Sequence, residues 1–253
     1  MTESSAGIGR PVWVDLSSSD PAASRAFYSA VFGWDVVVSP EPEYGGYAMA
    51  RVGEHDVAGI GPAQPGAPTF WALYIGTDDA AALGRKVEAA GGRVVAPAFD
   101  VGDVGRMAVF QDPSGAFISA WQPNTMPGFH SDGPGTFQWA ELNARGFDQA
   151  AAFYRDVFGW TTVRRENPGG PPYTEFQLGG AGVAGGMEMM PSVPAEVPSY
   201  WMVYFGVADL DATYAKVLAN GGREMVPPTP FPGGRFAIVS DPQGAMFALH
   251  QWG

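Results

Sequence analysis

The sequence contains no cysteine and only three histidines in 253 residues. Without thiols there are no disulfides, no thiolate metal ligands and no cysteine nucleophile, which is compatible with a reducing compartment. Basic residues are also few. Fourteen Lys and Arg stand against 26 Asp and Glu, for a formal net charge of −12. Such a charge repels phosphate backbones and anionic lipids, so the expected partners include no nucleic acid and no membrane. No apolar run approaches the ~20 residues a spanning helix needs. The opening MTESSAGIGR lacks the charged-then-apolar order of a signal peptide, and the chain reads as soluble and cytoplasmic. A phosphate loop, a dinucleotide fingerprint and a nucleophile motif are missing as well.

What is present is repetition. The word FYSAVFGW at Phe27 returns as FYRDVFGW at Phe153, and WVDL at Trp13 returns as WAEL at Trp139. Tyr47 meets Tyr173 and the VAG at Val57 meets the VAG at Val183 with the same spacing. After a longer Pro-rich loop in the second copy, Trp71 meets Trp201, and GGR at Gly91 meets GGR at Gly221. DPSGAF at Asp112 then meets DPQGAM at Asp241. The chain is two copies of one unit, 1–126 and 127–253, each of ordinary domain size.

Each copy alternates short β-rich runs with two helical segments. Asp20 caps a helix with Pro21 at its first position and Gly33 as its stop, and DDAAALGRKVEAAGG ends a second helix at Gly91. Strands follow each helix, divided by Gly-containing turns. The order is βαβββ twice per copy, four units in all, and the expected fold class is α+β.

Tandem βαβββ units with the FYxxVFGW helix end, the AAGG helix end and the DPxG turn resemble the vicinal oxygen chelate superfamily, which includes glyoxalase I, extradiol dioxygenases and bleomycin resistance proteins. The paired WVDL and WAEL openings are similar to two-repeat actinobacterial proteins of glyoxalase-like type. The resemblance implies two glyoxalase-like repeats, with curved mixed sheets around two cups and the helices outside. It also implies a divalent metal held by His and carboxylate side chains. Carried onto this sequence, the ligand positions fall on Trp13 and Trp139, Ala72 and Met202, Ser119 and Ala248, and the VAGI and VAGG segments, none of which supplies a ligand. No cofactor is therefore expected, with Zn, Fe, Ni or Mn as the alternative. His55 in the turn GEHD and His130 between the copies read as surface residues. His250 shares the strand face of Ala248.

Strand alternation places Trp13, Asp15, Phe70, Tyr74, Phe117, Ser119 and Trp121 in the first cup. Trp139, Glu141, Tyr200, Met202, Tyr204, Met246 and His250 fall in the second. The aromatics either fill a core or wall a small-molecule pocket. Asp15 and Glu141 are harder to read as filler, because an inward carboxylate is costly unless hydrogen-bonded or used. Arg106 and Arg235 either hold an anionic substrate or tie a loop, and Asp112 and Asp241 read as turn residues without catalysis. The expected ligand is a small hydrophobic or aromatic metabolite bound without a catalytic metal, by a monomer or homodimer. A metal-dependent lyase, dioxygenase, hydroxylase or epimerase, with Glu141 and His250 salvaging part of a site, is one alternative. A metal-free enzyme with Asp15 or Glu141 as general base is the other.

Overall fold

Residues 7–167 and 170–253 are described in a computed structural model of the chain. Pro168 and Gly169, in the segment PGGPPY, lie outside the described residues. The first repeat runs β1 (Pro11–Ser18), α1 (Pro21–Phe32), β2 (Asp35–Val38), β3 (Ala48–Val52), β4 (His55–Pro62), then β5 (Phe70–Gly76), α2 (Ala80–Ala89), β6 (Arg93–Val101), β7 (Gly105–Gln111) and β8 (Phe117–Pro123). The second runs β9 (Phe137–Ala144), α3 (Phe147–Phe158), β10 (Thr161–Arg165), β11 (Tyr173–Leu178), β12 (Ala181–Glu188), then β13 (Tyr200–Gly206), α4 (Leu210–Ala219), β14 (Arg223–Phe231), β15 (Gly234–Ser240) and β16 (Met246–Trp252). The fold is α+β, four βαβββ units in two mixed sheets of eight strands, with orders β2-β3-β4-β1-β5-β8-β7-β6 and β10-β11-β12-β9-β13-β16-β15-β14. No described helix is long and apolar enough to cross a membrane.

Local signals set the helices. The Asp20 carboxylate accepts from the backbone N–H of Ala23, and Gly33 closes α1 in the left-handed region at φ 74°. Asp79 and Asp209 cap α2 and α4 in the same way. In α3 the cap residue is Gly146, and the Glu188 carboxylate supplies the acceptor instead, taking the N–H groups of Gly146 and Phe147 at 3.0 and 2.8 Å. Two strands differ from the sequence pattern, in which YGGYAMARV from Tyr44 and RVVAP from Arg93 each read as a strand: a short 3-10 turn at Pro42–Tyr44 delays β3 to Ala48, and β6 continues past Pro97 to Val101.

The chain divides into two compact units that cross the repeat boundary. The first comprises the described residues among 1–13, 73–128 and 139–201; the second comprises 14–72, 129–138 and 202–253. In the first, α2 packs with α3, and in the second α1 packs with α4. Each unit contains a hydrogen-bond relay that joins the two repeats. In the second unit Trp71 Nε1 donates to Tyr28 Oη (3.0 Å), which donates to Asp241 Oδ2 (3.1 Å). In the first, Trp201 Nε1 donates to Tyr154 Oη (2.8 Å), which donates to Asp112 Oδ2 (2.9 Å). Tyr28 and Tyr154 are wholly buried, and burial, followed by the neighbouring carboxylate, pushes both phenols well above their ordinary range. They remain donors at any working pH. Asp112 and Asp241 are thus more than turn residues: Oδ1 of each organises its own DPxG turn while Oδ2 receives the tyrosine of the other repeat.

Candidate functional site

In the first unit, β9 pairs parallel to β12 with Glu141 opposite Gly185. Tyr173, at the start of β11, reaches over that glycine. A Cβ on Gly185 would fall 1.9 Å from the Tyr173 hydroxyl and 2.9 Å from Trp139 Nε1. Glycine is required there because a phenol occupies the side-chain space. Trp139 Nε1 donates to Tyr173 Oη at 2.8 Å, Tyr173 hydrogen-bonds Glu141, and Asn143 Nδ2 donates to Glu141 Oε1 at 3.1 Å. Burial first, then the Glu141 charge, drives the Tyr173 phenol far above its usual range, so the hydroxyl stays protonated. Tyr200 is raised by the same two causes in the same order, which places its phenol within the field of Glu141. Glu141 is 8% exposed, while Trp139, Tyr173 and Tyr200 are half-buried. The result is a carboxylate oriented by hydrogen bonds beside partly open aromatic rings.

The second unit carries a simpler counterpart. Asp15 on β1 faces Gly59 on β4, and Tyr47 Oη donates to Asp15 Oδ2 at 3.3 Å. A Cβ on Gly59 would fall 1.7 Å from that hydroxyl. Tyr47 and Tyr173 were visible in the sequence as a repeated tyrosine, but not as site residues. The signal was their spacing to the glycine of each VAG.

The other expected cup residues divide between the units. In the first, β5 and β8 pair with Tyr74 opposite Ser119, and β7 and β8 pair with Val109 opposite Ser119, Met107 opposite Trp121 and Gln111 opposite Phe117. These share one sheet face, on which Phe117 is 47% exposed. Trp121 is buried, pinned over Gly105, with its N–H donated to the Met126 carbonyl at 2.9 Å; Trp13 is buried too. In the second unit Phe70 is exposed and Met202 and Tyr204 are buried. His250 lies on β16 between Gly206 of β13 and Phe236 of β15, and Met246 is half-buried on the same strand. Glu141 belongs to the first unit and His250 to the second. His55 and His130, expected as separate surface residues, stack at 4.3 Å with 18° between their planes. Arg106 pairs with Asp100 of β6 and Arg235 grips Asp211 of α4 through two hydrogen bonds, so each cation has a carboxylate partner. A polar cleft of about 230 Å³ lined by Asp100, Arg106, Gln122 and Asn124 shares no residue with the aromatic clusters.

These donors do not fit a divalent metal. Among the described residues no three His, Asp or Glu side chains group so as to hold one. The space where a side chain at Gly59 of β4 or Gly185 of β12 would project is filled by the Tyr47 or Tyr173 hydroxyl, which hydrogen-bonds the neighbouring carboxylate.

Both repeats match the model of the Glyoxalase/Bleomycin resistance protein/Dioxygenase superfamily, over residues 10–119 and 136–249. The chain belongs to this superfamily. It is 44% identical over 248 residues to a Mycobacterium tuberculosis (strain CDC 1551 / Oshkosh) protein named "Putative glyoxylase CFP32", covering 95% of this chain and 94% of that one. It is 38% identical over 259 residues to the anthracycline biosynthesis protein DnrV of Streptomyces peucetius, covering 95% and 92%. Among solved structures, the Mn(II)-bound glyoxalase from Novosphingobium aromaticivorans superposes with a TM-score of 0.69 at 16% identity, covering 96% of this chain and 82% of that chain, a likeness of fold alone.

Proposed function

We propose that the chain binds a small, flat hydrophobic or aromatic metabolite against Trp139, Tyr173 and Tyr200, without a catalytic metal. The observation that carries this reading is the Trp139–Tyr173–Glu141 relay. It supplies half-buried rings for stacking and one oriented carboxylate to receive a ligand hydroxyl. The relative named for anthracycline biosynthesis supports an aromatic ligand.

A second reading is favoured by the burial of Glu141: a metal-free enzyme in which that carboxylate takes a proton from the bound ligand, with Asp15 as its first-repeat counterpart. Titration with 1,4-dihydroxyanthraquinone, a neutral planar probe, tests the site. Trp139→Ala should weaken binding by about tenfold, the equivalent of ~1.4 kcal/mol. Unchanged affinity in that variant overturns the site. Glu141→Gln separates the readings: a binder keeps most of its affinity, whereas an enzyme keeps binding and loses turnover by about two to four orders of magnitude.

A further inference from the structure

His250 is the one buried ionisable side chain in the second unit's sheet core with no partner for either ring nitrogen among the described residues. It is 4% exposed. Its neighbours are rings: Trp252 at 4.2 Å between centroids, Phe231 at 5.3 Å and Tyr204 at 6.5 Å. Two of these reach solvent, Phe231 at 38% and Trp252 at 59% exposure, so rings at the surface cover the buried imidazole nitrogens, and a ligand reaches them by displacing those rings. The wall of this box is fixed on another edge, where Trp252 Nε1 donates to Gln138 Oε1 at 2.9 Å and the Gln138 side chain lies over Gly206, the parallel partner of His250.

The molecule contains its own comparison. At the matching position of the first repeat stands Trp121, whose single polar atom is satisfied by the Met126 carbonyl. The second repeat puts there a group with two polar atoms and leaves both unmatched, although buried polar groups in folded proteins are almost always hydrogen-bonded. Burial lowers the imidazole's proton affinity, so at neutral pH the ring is uncharged, with one donor and one acceptor nitrogen. A neutral imidazole walled by aromatics does not select a charged ligand. It selects a ring whose substituent oxygen can donate to one nitrogen or accept from the other.

We propose that His250, boxed by Tyr204, Phe231 and Trp252, anchors a binding site for a neutral aromatic ring carrying a hydroxyl or carbonyl oxygen. This inference rests on the small-molecule reading but on none of the residues that carry it. With three histidines in the chain, the His250 ring can be followed by nitrogen-15 NMR, using 2-naphthol as probe and naphthalene as its hydroxyl-free control. The expected result is a saturable shift of the His250 ring signals with 2-naphthol. His250→Phe, which keeps a ring in the box, should weaken 2-naphthol at least tenfold and leave naphthalene within twofold. His250→Gln, which restores an amide donor and acceptor, should keep the preference for the hydroxyl and serves if the Phe variant does not fold. Ring signals unmoved by 2-naphthol up to about 1 mM, or a hydroxyl preference that survives in His250→Phe, overturn the proposal. Trp139→Ala should leave the His250 response intact. If that response holds while the anthraquinone fails to bind, only the earlier reading falls.

Discussion

At Gly185 one added methyl group would collide with the hydroxyl of Tyr173, and the same holds for Gly59 with Tyr47. Gly185→Ala should therefore destabilise the protein by about 1–3 kcal/mol in urea unfolding, as overpacking does. Gly84, inside α2, is the control: its nearest neighbour to a new Cβ is 3.6 Å away, and Gly84→Ala should stabilise by roughly 0.5–1 kcal/mol. His250 adds a pH dependence. Its folded-state pKa lies below its ordinary value of 6.5 because of burial, so on acidification the unfolded chain takes up a proton before the folded chain does. This contribution is fully present above about pH 6.5 and is lost as pH falls through the folded pKa. His250→Phe should flatten that part of the stability profile, measured by thermal unfolding from pH 7.5 to 5. Strand alternation was enough to put Glu141 and His250 at buried positions. It could not show Tyr173, which enters the site from a neighbouring strand by reaching across a glycine, a geometry that follows from pairing register and not from its own strand's period.

Helix limits were legible because capping chemistry is local: Asp20, Pro21 and Gly33 each act within one turn of α1. The β6 extension and the 3-10 turn before β3 were not, since strand ends depend on which neighbour supplies hydrogen bonds. Nor was the second role of the DPxG aspartates, because Tyr28 lies 213 positions from Asp241. Tyr28→Phe tests that role. It removes the hydroxyl between two buried partners, Trp71 Nε1 and Asp241 Oδ2, and should cost about 1–3 kcal/mol, read by urea unfolding. A cost near zero would make the relay incidental to stability.

The duplication was plain in the sequence, whereas the way the modules pair in space was not. Each compact unit takes one module from each repeat, because α1 packs with α4 and α2 with α3. A fragment of residues 1–126 has Tyr28 without Asp241 and Asp112 without Tyr154. It should not behave as a stable monomer. Light scattering should find it unfolded or self-associated, a second copy offering Asp112 to Tyr28, and mixing with 127–253 should give a one-to-one complex with cooperative unfolding. Under the proposed function, aromatic walls and a hydrogen-bonded carboxylate do here what metal ligands would otherwise do. The most direct measurement is a fluorescence titration of 1,4-dihydroxyanthraquinone into protein stripped by EDTA dialysis, repeated after adding Zn, Mn, Fe or Ni. Saturable binding with the same affinity in all five samples, weakened about tenfold by Trp139→Ala, is the predicted result. Binding that appears only when a metal is restored would contradict it.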